Sequence, residues 1–461
     1  MYMLTKPKRM LPKQVLYELA SEEAKLTKLL GGDVMHVGIF MHTNYFEDFF
    51  VKGLGLSEEE YVHSYHNDFS FDYARLLQTK GIRTTIYNFT RIGSEVRTYQ
   101  HGIVDCTIKF IPVGMLYKWY SVIPLSHRTP IGKFVSQYIS TIQRDLCDIL
   151  RGDGISLIYA QEYASGRFER LAAAAKKLSI PIIAAYHGGS IHKWILPIKK
   201  HTLHKAAFMT TLNEDEQNSM VRHFPHLEGR IRLLPNFVNS AIFYRRDKDE
   251  AIAALGLDPG CRYIITVGRL FEHQKGHSLL VQAMEQLKQH PDLRILVAGG
   301  GPDEQSLKDL IRAKGLEDRF IMLGTIRNKD MLASYYSVSE LFVLPSRYEG
   351  LPLVILEAGA CGLPTVAFNV MGVRGLVRHG ESGLLAEGLD PAQLAASLDQ
   401  LLGNPDRCRE MGAAALQIVR SDYSEEIIGA RLYNLLQESL GLDPSAPLFG
   451  DGYAPELTSP L

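Results

Sequence analysis

Long apolar runs are missing from this 461-residue chain: no stretch approaches the roughly 18 residues that a membrane-crossing helix needs. The opening MYMLTKPKRM lacks the apolar core of a secretory signal. A cytoplasmic protein is therefore expected. Cysteine is scarce as well. Cys106, Cys147, Cys261, Cys361 and Cys408 lie scattered without paired spacing, which excludes a disulfide framework and a zinc knuckle and suits a reducing compartment. Internal repeats are absent, and the one biased segment is the proline-rich and polar tail after Leu440, where disorder is expected. What remains is ordinary globular material: at 46% hydrophobic, the chain can bury two cores.

Net charge is also lacking, at −1, but the balance conceals an asymmetry. Residues 1 to 245 hold 30 Lys and Arg against 22 Asp and Glu, a surplus of +8, and the remainder holds 20 against 29, or −9. A basic first half suits an anionic partner or the inner, anionic face of a membrane; complementarity between two domains explains it equally well. No nucleic-acid partner is expected.

Strand-like runs alternate with helical patterns along the chain. Val34 to Met41, Arg83 to Phe89, ISLIYA, IPIIAAY, AAFMTTL and RIRLLP read as strands, with FDYARLLQTK as a helix between the first two. Repeated βα units imply an α/β protein of doubly wound parallel sheets. Pro12 to Leu30 carries apolar residues at near-helical spacing and stops at Gly31-Gly32. Basic residues before it, Lys6, Lys8, Arg9 and Lys13, allow either packing on the first domain or a place on a membrane surface. Residues 42 to 68 read as one long loop rich in aromatics and histidine, a candidate binding element. Phe110 to Phe134 mixes aromatic, proline and basic residues and can line an apolar channel, touch lipid or cover the core.

The chemistry concentrates in the second half. In LFVLPSRYEGLPLVILEAGACGLPTVAF an apolar strand turns through polar residues into a helix, with Pro352 in its first turn. Glu349 then stands at a strand's carboxyl end beside a helix N-terminus, where open α/β sheets bind ligands. A carboxylate there can accept two hydrogen bonds from a vicinal diol. Glu357 follows eight positions later, about 12 Å along at helical rise. Either the two carboxylates hold two ends of one ligand, or they are solvated surface. Upstream, CRYIITVGRLFEHQKGHSLLVQAMEQL ends a strand at Gly268 and sets Arg269 and Lys275 in the following loop. Arginine offers a planar fork and lysine a compact point charge, a pair suited to a diphosphate.

With LLPNFVNSAIF, VGRLFEHQKG, LRILVAGGGPDEQSLKDLI, FIMLGTIRNKDMLASYYSVSELFVLPSRYEGLPLVILEAGACGLPTVA, HGESGLL and SDYSEEIIGARLYNLLQESL in this order, residues from about 230 to 440 resemble the donor half of the retaining glycosyltransferases of family four, also called group 1. The resemblance implies a GT-B fold of two Rossmann-like domains facing a cleft. Residues 1–238 would be the acceptor domain, 239–420 the donor domain, 421–440 a helix crossing back, and 441–461 a tail. It implies transfer of a hexose from a nucleotide sugar, UDP-sugar favoured and GDP-mannose next, to a hydroxyl of a glycan, lipid-linked or small-molecule acceptor. Arg269 and Lys275 would take the pyrophosphate, Glu349 the transferred sugar, Glu357 the ribose, and Gly324 to Arg327 the base, with Gly268, Gly350 and Leu351 also in the donor site. Gly299 to Gly301 read as a tight turn.

His187, at a strand end before two glycines, matches a histidine that contacts the transferred sugar in relatives, and Glu162, at the end of ISLIYAQE, is a candidate for acceptor binding. Departures exist too: Gly375 stands where many relatives carry a glutamate, and HVGIFMHTNYFEDFF lacks the glycine pair expected after the first strand. No aspartate pair is placed to bridge a diphosphate; Asp68 and Asp72 flank a helix as cap and surface. The expectation is therefore front-face transfer with no cofactor and no metal, Arg269, Lys275, Glu349 and His187 carrying the chemistry. A sugar-nucleotide epimerase of similar fold and a non-catalytic nucleotide-sugar-binding protein remain as alternatives.

Overall fold

A computed structural model describes residues 35–41, 45–123, 129–142, 146–186 and 193–442. The expected helix of Pro12 to Leu30, residue His187 and the tail beyond Leu442 lie outside the described residues. The described residues of 35–185, 193–209 and 431–442 make one compact unit; Tyr186 and 210–430 make the other.

The first sheet has eight strands: β1 (His36–Phe40), β2 (Arg83–Thr90), β3 (Arg97–Gln100), β4 (Thr107–Pro112), β5 (Leu157–Gln161), β6 (Ile182–Ala185), β7 (Phe208–Thr211) and β8 (Ile231–Leu233). Their order is β3-β4-β2-β1-β5-β6-β7-β8. β1 pairs in parallel with β2 and β5, β2 with β4, and β5 with β6, while β3 pairs antiparallel with β4 at the edge. Backbone pairing thus follows this sheet to Leu233, whereas compactness divides the chain at Thr210. Each strand that the sequence marks in this half is present; β2 runs one residue past its expected end, β5 starts two residues later and ends one later, and the others are shorter than expected.

Residues 42 to 68 depart from the expectation of a loop. Glu47–Val51 forms a π-helical turn, and Glu58–His63 is a helix. The second begins in a reciprocal cap: Ser57 Oγ accepts from Glu60 N at 3.1 Å, and Glu60 Oε2 accepts from Ser57 N at 2.8 Å. That S-x-x-E signal was legible in SEEE, and it satisfies two of the amides that a helix start leaves orphaned. Most of the aromatics here serve packing. Phe46 lies edge-on to Tyr61 and to Phe110 at 4.9 and 4.8 Å, and Phe46, Phe50 and Tyr61 are buried. Asp68 caps Phe69–Gln78 by accepting from Ser70 N at 2.8 Å, as expected.

The second sheet holds β9 (Arg262–Val267), β10 (Leu293–Ala298), β11 (Phe320–Gly324), β12 (Phe342–Leu344), β13 (Thr365–Phe368) and β14 (Gly383–Ala386), in the order β11-β10-β9-β12-β13-β14. All its pairings are parallel. Alternate residues feed two cores: Ile264, Ile295, Val343 and Val366 point to one, and Tyr263, Ile265, Leu296, Phe342 and Ala367 to the other. Because both faces are covered, the strands read as continuous apolar runs with no alternation.

Candidate active site

In the second sheet β9 lies between β10 and β12, so the chain leaves it in opposite directions and the loops after β9 and β12 diverge at their carboxyl ends. Such a switch point opens a crevice. Two close backbone approaches set its floor. The short helix Glu272–Lys275 ends at Gly276, whose φ of +59° is left-handed and whose absent Cβ would stand 2.4 Å from the Pro345 carbonyl oxygen. Arg347 N donates to the Gln274 carbonyl at 2.8 Å, tying the β12 loop to that turn.

Lys275 Nζ consequently meets Glu349 Oε1 at 2.6 Å. Ser346 Oγ donates to the same oxygen at 2.6 Å. Glu349 is only 8% exposed. Its Oε2 receives no hydrogen bond from a described residue. One carboxylate oxygen is anchored from within the protein; the other is available to a ligand hydroxyl. The sequence assigned Lys275 and Glu349 to different parts of a ligand, and the structure pairs them directly. Opposite charges in a partly desolvated crevice attract each other more strongly than the same pair would in bulk water.

Gly299 gives the second approach. A Cβ there would fall 1.8 Å from the Gly268 carbonyl oxygen, and Gly299 N donates to the Gly324 carbonyl at 2.8 Å. The glycine run after β10 is more than the tight turn expected: it draws Gly268 and Gly324 to one place. Arg269 follows Gly268, exposed, with no side-chain partner among the described residues. Arg327 is exposed beyond the end of β11.

The helix after β12 is Leu353–Ala360, with Pro352 as its cap residue. This corrects the expectation of Pro352 in the first turn, and only part of the Glu349-to-Glu357 separation is helical rise. Gly350 and Leu351 are partly buried in the intervening turn. Glu357, half-buried, accepts from Tyr336 Oη at 3.0 Å through Oε2. Burial, then the neighbouring Glu357, raises the Tyr336 phenol well above its ordinary value, so it stays a donor. Sequence reading missed Tyr336, which looks like any aromatic in MLASYYSV. It also passed over Ser346, although its place three residues before Glu349 was a usable signal.

Beside this crevice, Arg347 pairs with Glu272 at 3.0 Å, and Glu272 also accepts from Ser278 N at 2.9 Å. Burial alone would raise the Glu272 carboxyl, but Ser278 and Arg347 outweigh it and hold it low. Leu270, Glu272, His277, Ser278 and Asp303 line a cavity there. Burial pushes the His277 imidazole down to about 4, against the pull of Glu272.

In the first unit Glu162 follows β5, beside β1, with a φ of +78° that non-glycine residues seldom adopt. Oε1 accepts from Ala164 N at 3.0 Å, and burial raises the carboxyl to about 7 despite that bond and the charge of Lys199. Lys199, which reads as a surface lysine in LPIKKHT, is fully buried. Its Nζ meets Glu169 Oε1 at 2.6 Å and the Ser165 carbonyl at 3.0 Å, with the Phe134 and Phe168 rings 5.4 and 5.1 Å away. Among the described residues no three His, Cys, Asp or Glu side chains gather as a metal site.

Two family models match the chain: "Glycosyltransferase Family 4" over residues 71–241 and "Glycosyl transferases group 1" over residues 247–417. D-inositol 3-phosphate glycosyltransferase 1 of Catenulispora acidiphila is 30% identical over 294 residues, 58% of this chain and 69% of that protein. Alpha-D-kanosaminyltransferase of Streptomyces kanamyceticus is 30% identical over 253 residues, 54% of this chain and 64% of that one. The chain spans about half the length of several other curated relatives, 46%, 55% and 56%. Among solved structures, sucrose-phosphate synthase from Thermosynechococcus elongatus superposes with a TM-score of 0.67 at 21% identity, covering 88% of this chain and 99% of that one. Anabaena HepE, in complex with UDP and glucose, gives 0.63 at 16% identity, covering 88% and 100%. The fold is GT-B.

Proposed function

From the premise that this chain belongs to the group 1 glycosyltransferases, we propose that it is a retaining, metal-independent hexosyltransferase using a nucleotide sugar, with a UDP-sugar favoured over GDP-mannose. The observation that carries this reading is the 2.6 Å contact of Lys275 with Glu349 at the β9/β12 switch point. A cation beside an anchored carboxylate supports the reading, because a sugar diphosphate needs both.

In this reading the bond between the anomeric carbon and the diphosphate oxygen breaks while the acceptor oxygen bonds to that carbon on the same face. The acceptor proton passes to the departing diphosphate oxygen. Lys275 and Arg269 stabilise the negative charge that grows there, and such preorganised charge contributes most where water is excluded. Glu349 Oε2 accepts from hydroxyls of the moving hexose, while Oε1 stays bound to Lys275 and Ser346. Glu357, turned by Tyr336, accepts from the ribose hydroxyls. Backbone groups from Gly324 to Arg327 face the base. His187 contacts the transferred hexose, and Glu162 contacts the acceptor. The acceptor hydroxyl belongs to a glycan, a lipid-linked saccharide or a small molecule; the relatives' names speak of D-inositol 3-phosphate and of kanosaminyl transfer.

A thermal-shift screen of UDP, GDP and ADP, followed by mass spectrometry of products from UDP-hexoses and GDP-mannose with acceptor panels, tests the reading. A stabilising nucleotide and a product heavier by one hexose are expected. No stabilisation by UDP or GDP would overturn the donor assignment. A new nucleotide sugar formed from donor alone would mark an epimerase instead.

A further inference from the structure

The helix Met115–Ser121 shows its apolar side to solvent. Met115, Leu116, Trp119, Val122 and Ile123 recur at helical spacing, and periodicity alone would assign that stripe to the core. Instead Tyr117, on the opposite side, is the residue buried, its ring 4.9 Å from Tyr45. Met115 is 81% exposed, Trp119 79% and Val122 78%, with Leu116 and Ile123 more than half exposed. The Pro130–Ser140 helix packs beside this one, Tyr120 Oη donating to the Gly132 carbonyl at 3.4 Å, and adds exposed Ile131. Single exposed apolar residues are ordinary; a contiguous stripe of large ones on a helix is a contact surface.

The charge along this segment of the chain is of one sign. Between Asp105 and Asp145 the chain has no acidic residue but holds Lys109, Lys118, Arg128, Lys133 and Arg144. Lys118 and Lys133 are exposed on the same two helices. Lys109 is neutralised by its ion pair with Asp153, so among the described residues of this segment those two lysines carry the uncompensated positive charge. A tryptophan and aliphatic side chains flanked by lysines match the boundary between acyl chains and anionic headgroups, where the indole ring and apolar groups enter and the ammonium groups stay with phosphate.

We propose that the exposed face of the Met115–Ser121 helix, with Ile131, Lys118 and Lys133, docks the protein in its plane on an anionic lipid bilayer. The face belongs to the first unit, and the proposal is independent of the donor site. Docking would place an acceptor carried by lipid on the same surface as the enzyme.

The chain has two tryptophans, Trp119 and Trp194, so the full-length Trp194→Phe protein reports on Trp119 alone. Mixed with phosphatidylcholine–phosphatidylglycerol vesicles, it is expected to show a blue shift and quenching by brominated acyl chains. Co-sedimentation should be weaker with phosphatidylcholine alone and in high salt. Met115→Ser with Trp119→Ser should reduce co-sedimentation about tenfold or more, and Lys118→Glu with Lys133→Glu should remove the preference for anionic lipid; circular dichroism checks that both remain folded. No shift and no co-sedimentation with anionic vesicles would overturn the proposal. So would a Trp119 emission already blue-shifted without lipid, which would mean that another part of the chain covers the face. A dimer in light scattering that Trp119→Ser dissolves would assign the face to a second copy and equally overturn it.

Discussion

Lys275 and Glu349, 74 residues apart in sequence, meet at 2.6 Å because the loops after β9 and β12 are joined by the Arg347–Gln274 backbone bond and by the approach of Gly276 to Pro345. Ser346 completes the arrangement by sharing the same Glu349 oxygen. The pair is largely buried, with side-chain exposures of 17% and 6%. Removing one member therefore leaves an incompletely compensated charge.

Lys275→Ala should lower kcat/KM for the nucleotide sugar by about 100-fold or more while the far-ultraviolet spectrum is unchanged. Stability should fall by about 1–3 kcal/mol, since Glu349 keeps only Ser346. A double-mutant cycle of Lys275→Met and Glu349→Gln on urea midpoints should give a coupling of about 1–2 kcal/mol. Full activity in Lys275→Ala would refute the assigned role.

Tyr336→Phe removes the hydrogen bond that orients Glu357. Donor KM should rise about fivefold to tenfold, with kcat nearly unchanged, as for a lost uniform binding contact. A donor lacking one ribose hydroxyl should lose part of its disadvantage against the intact donor. An equal disadvantage in both proteins would separate Glu357 from the ribose.

His277 predicts acid lability. Its folded value, about 4, lies below the ordinary 6.5, so on acidification the unfolded chain takes up the proton first. The contribution is whole above the unfolded value and is lost as pH falls from about 6.5 through 4, amounting to about 3 kcal/mol at most. His277→Gln should flatten the fall in urea midpoint across that window; an unchanged slope would disprove it.

Glu162 predicts the opposite sense. Its carboxyl rises from 4.5 to about 7, so the folded chain holds the proton more tightly. Stability is then whole below the unfolded value and drains as pH rises through about 7, by roughly 2–3 kcal/mol. Glu162→Gln, which keeps the shape without the charge, should raise the melting temperature at alkaline pH and change it little in mild acid. The same gain at both ends would mean that the protonation of Glu162 does not govern stability here.

The sequence by itself determined the doubly wound sheets, because βα alternation and apolar runs are local signals, and it singled out Lys275, Glu349 and Glu357 as candidates, because motif order survives in a linear text. It also held the Ser57–Glu60 cap, although aromatic content turned the reading of 42–68 toward a loop. Tertiary structure alone decided which groups touch: that Lys275 bonds Glu349, that Tyr336 turns Glu357, that Gly299 admits the Gly268 carbonyl, and that Lys199 is buried between two phenylalanines. It also decided that Trp119 faces outward and Tyr117 inward. Helical spacing defines a stripe on a helix, but only the neighbours packed against that helix choose which side loses its water.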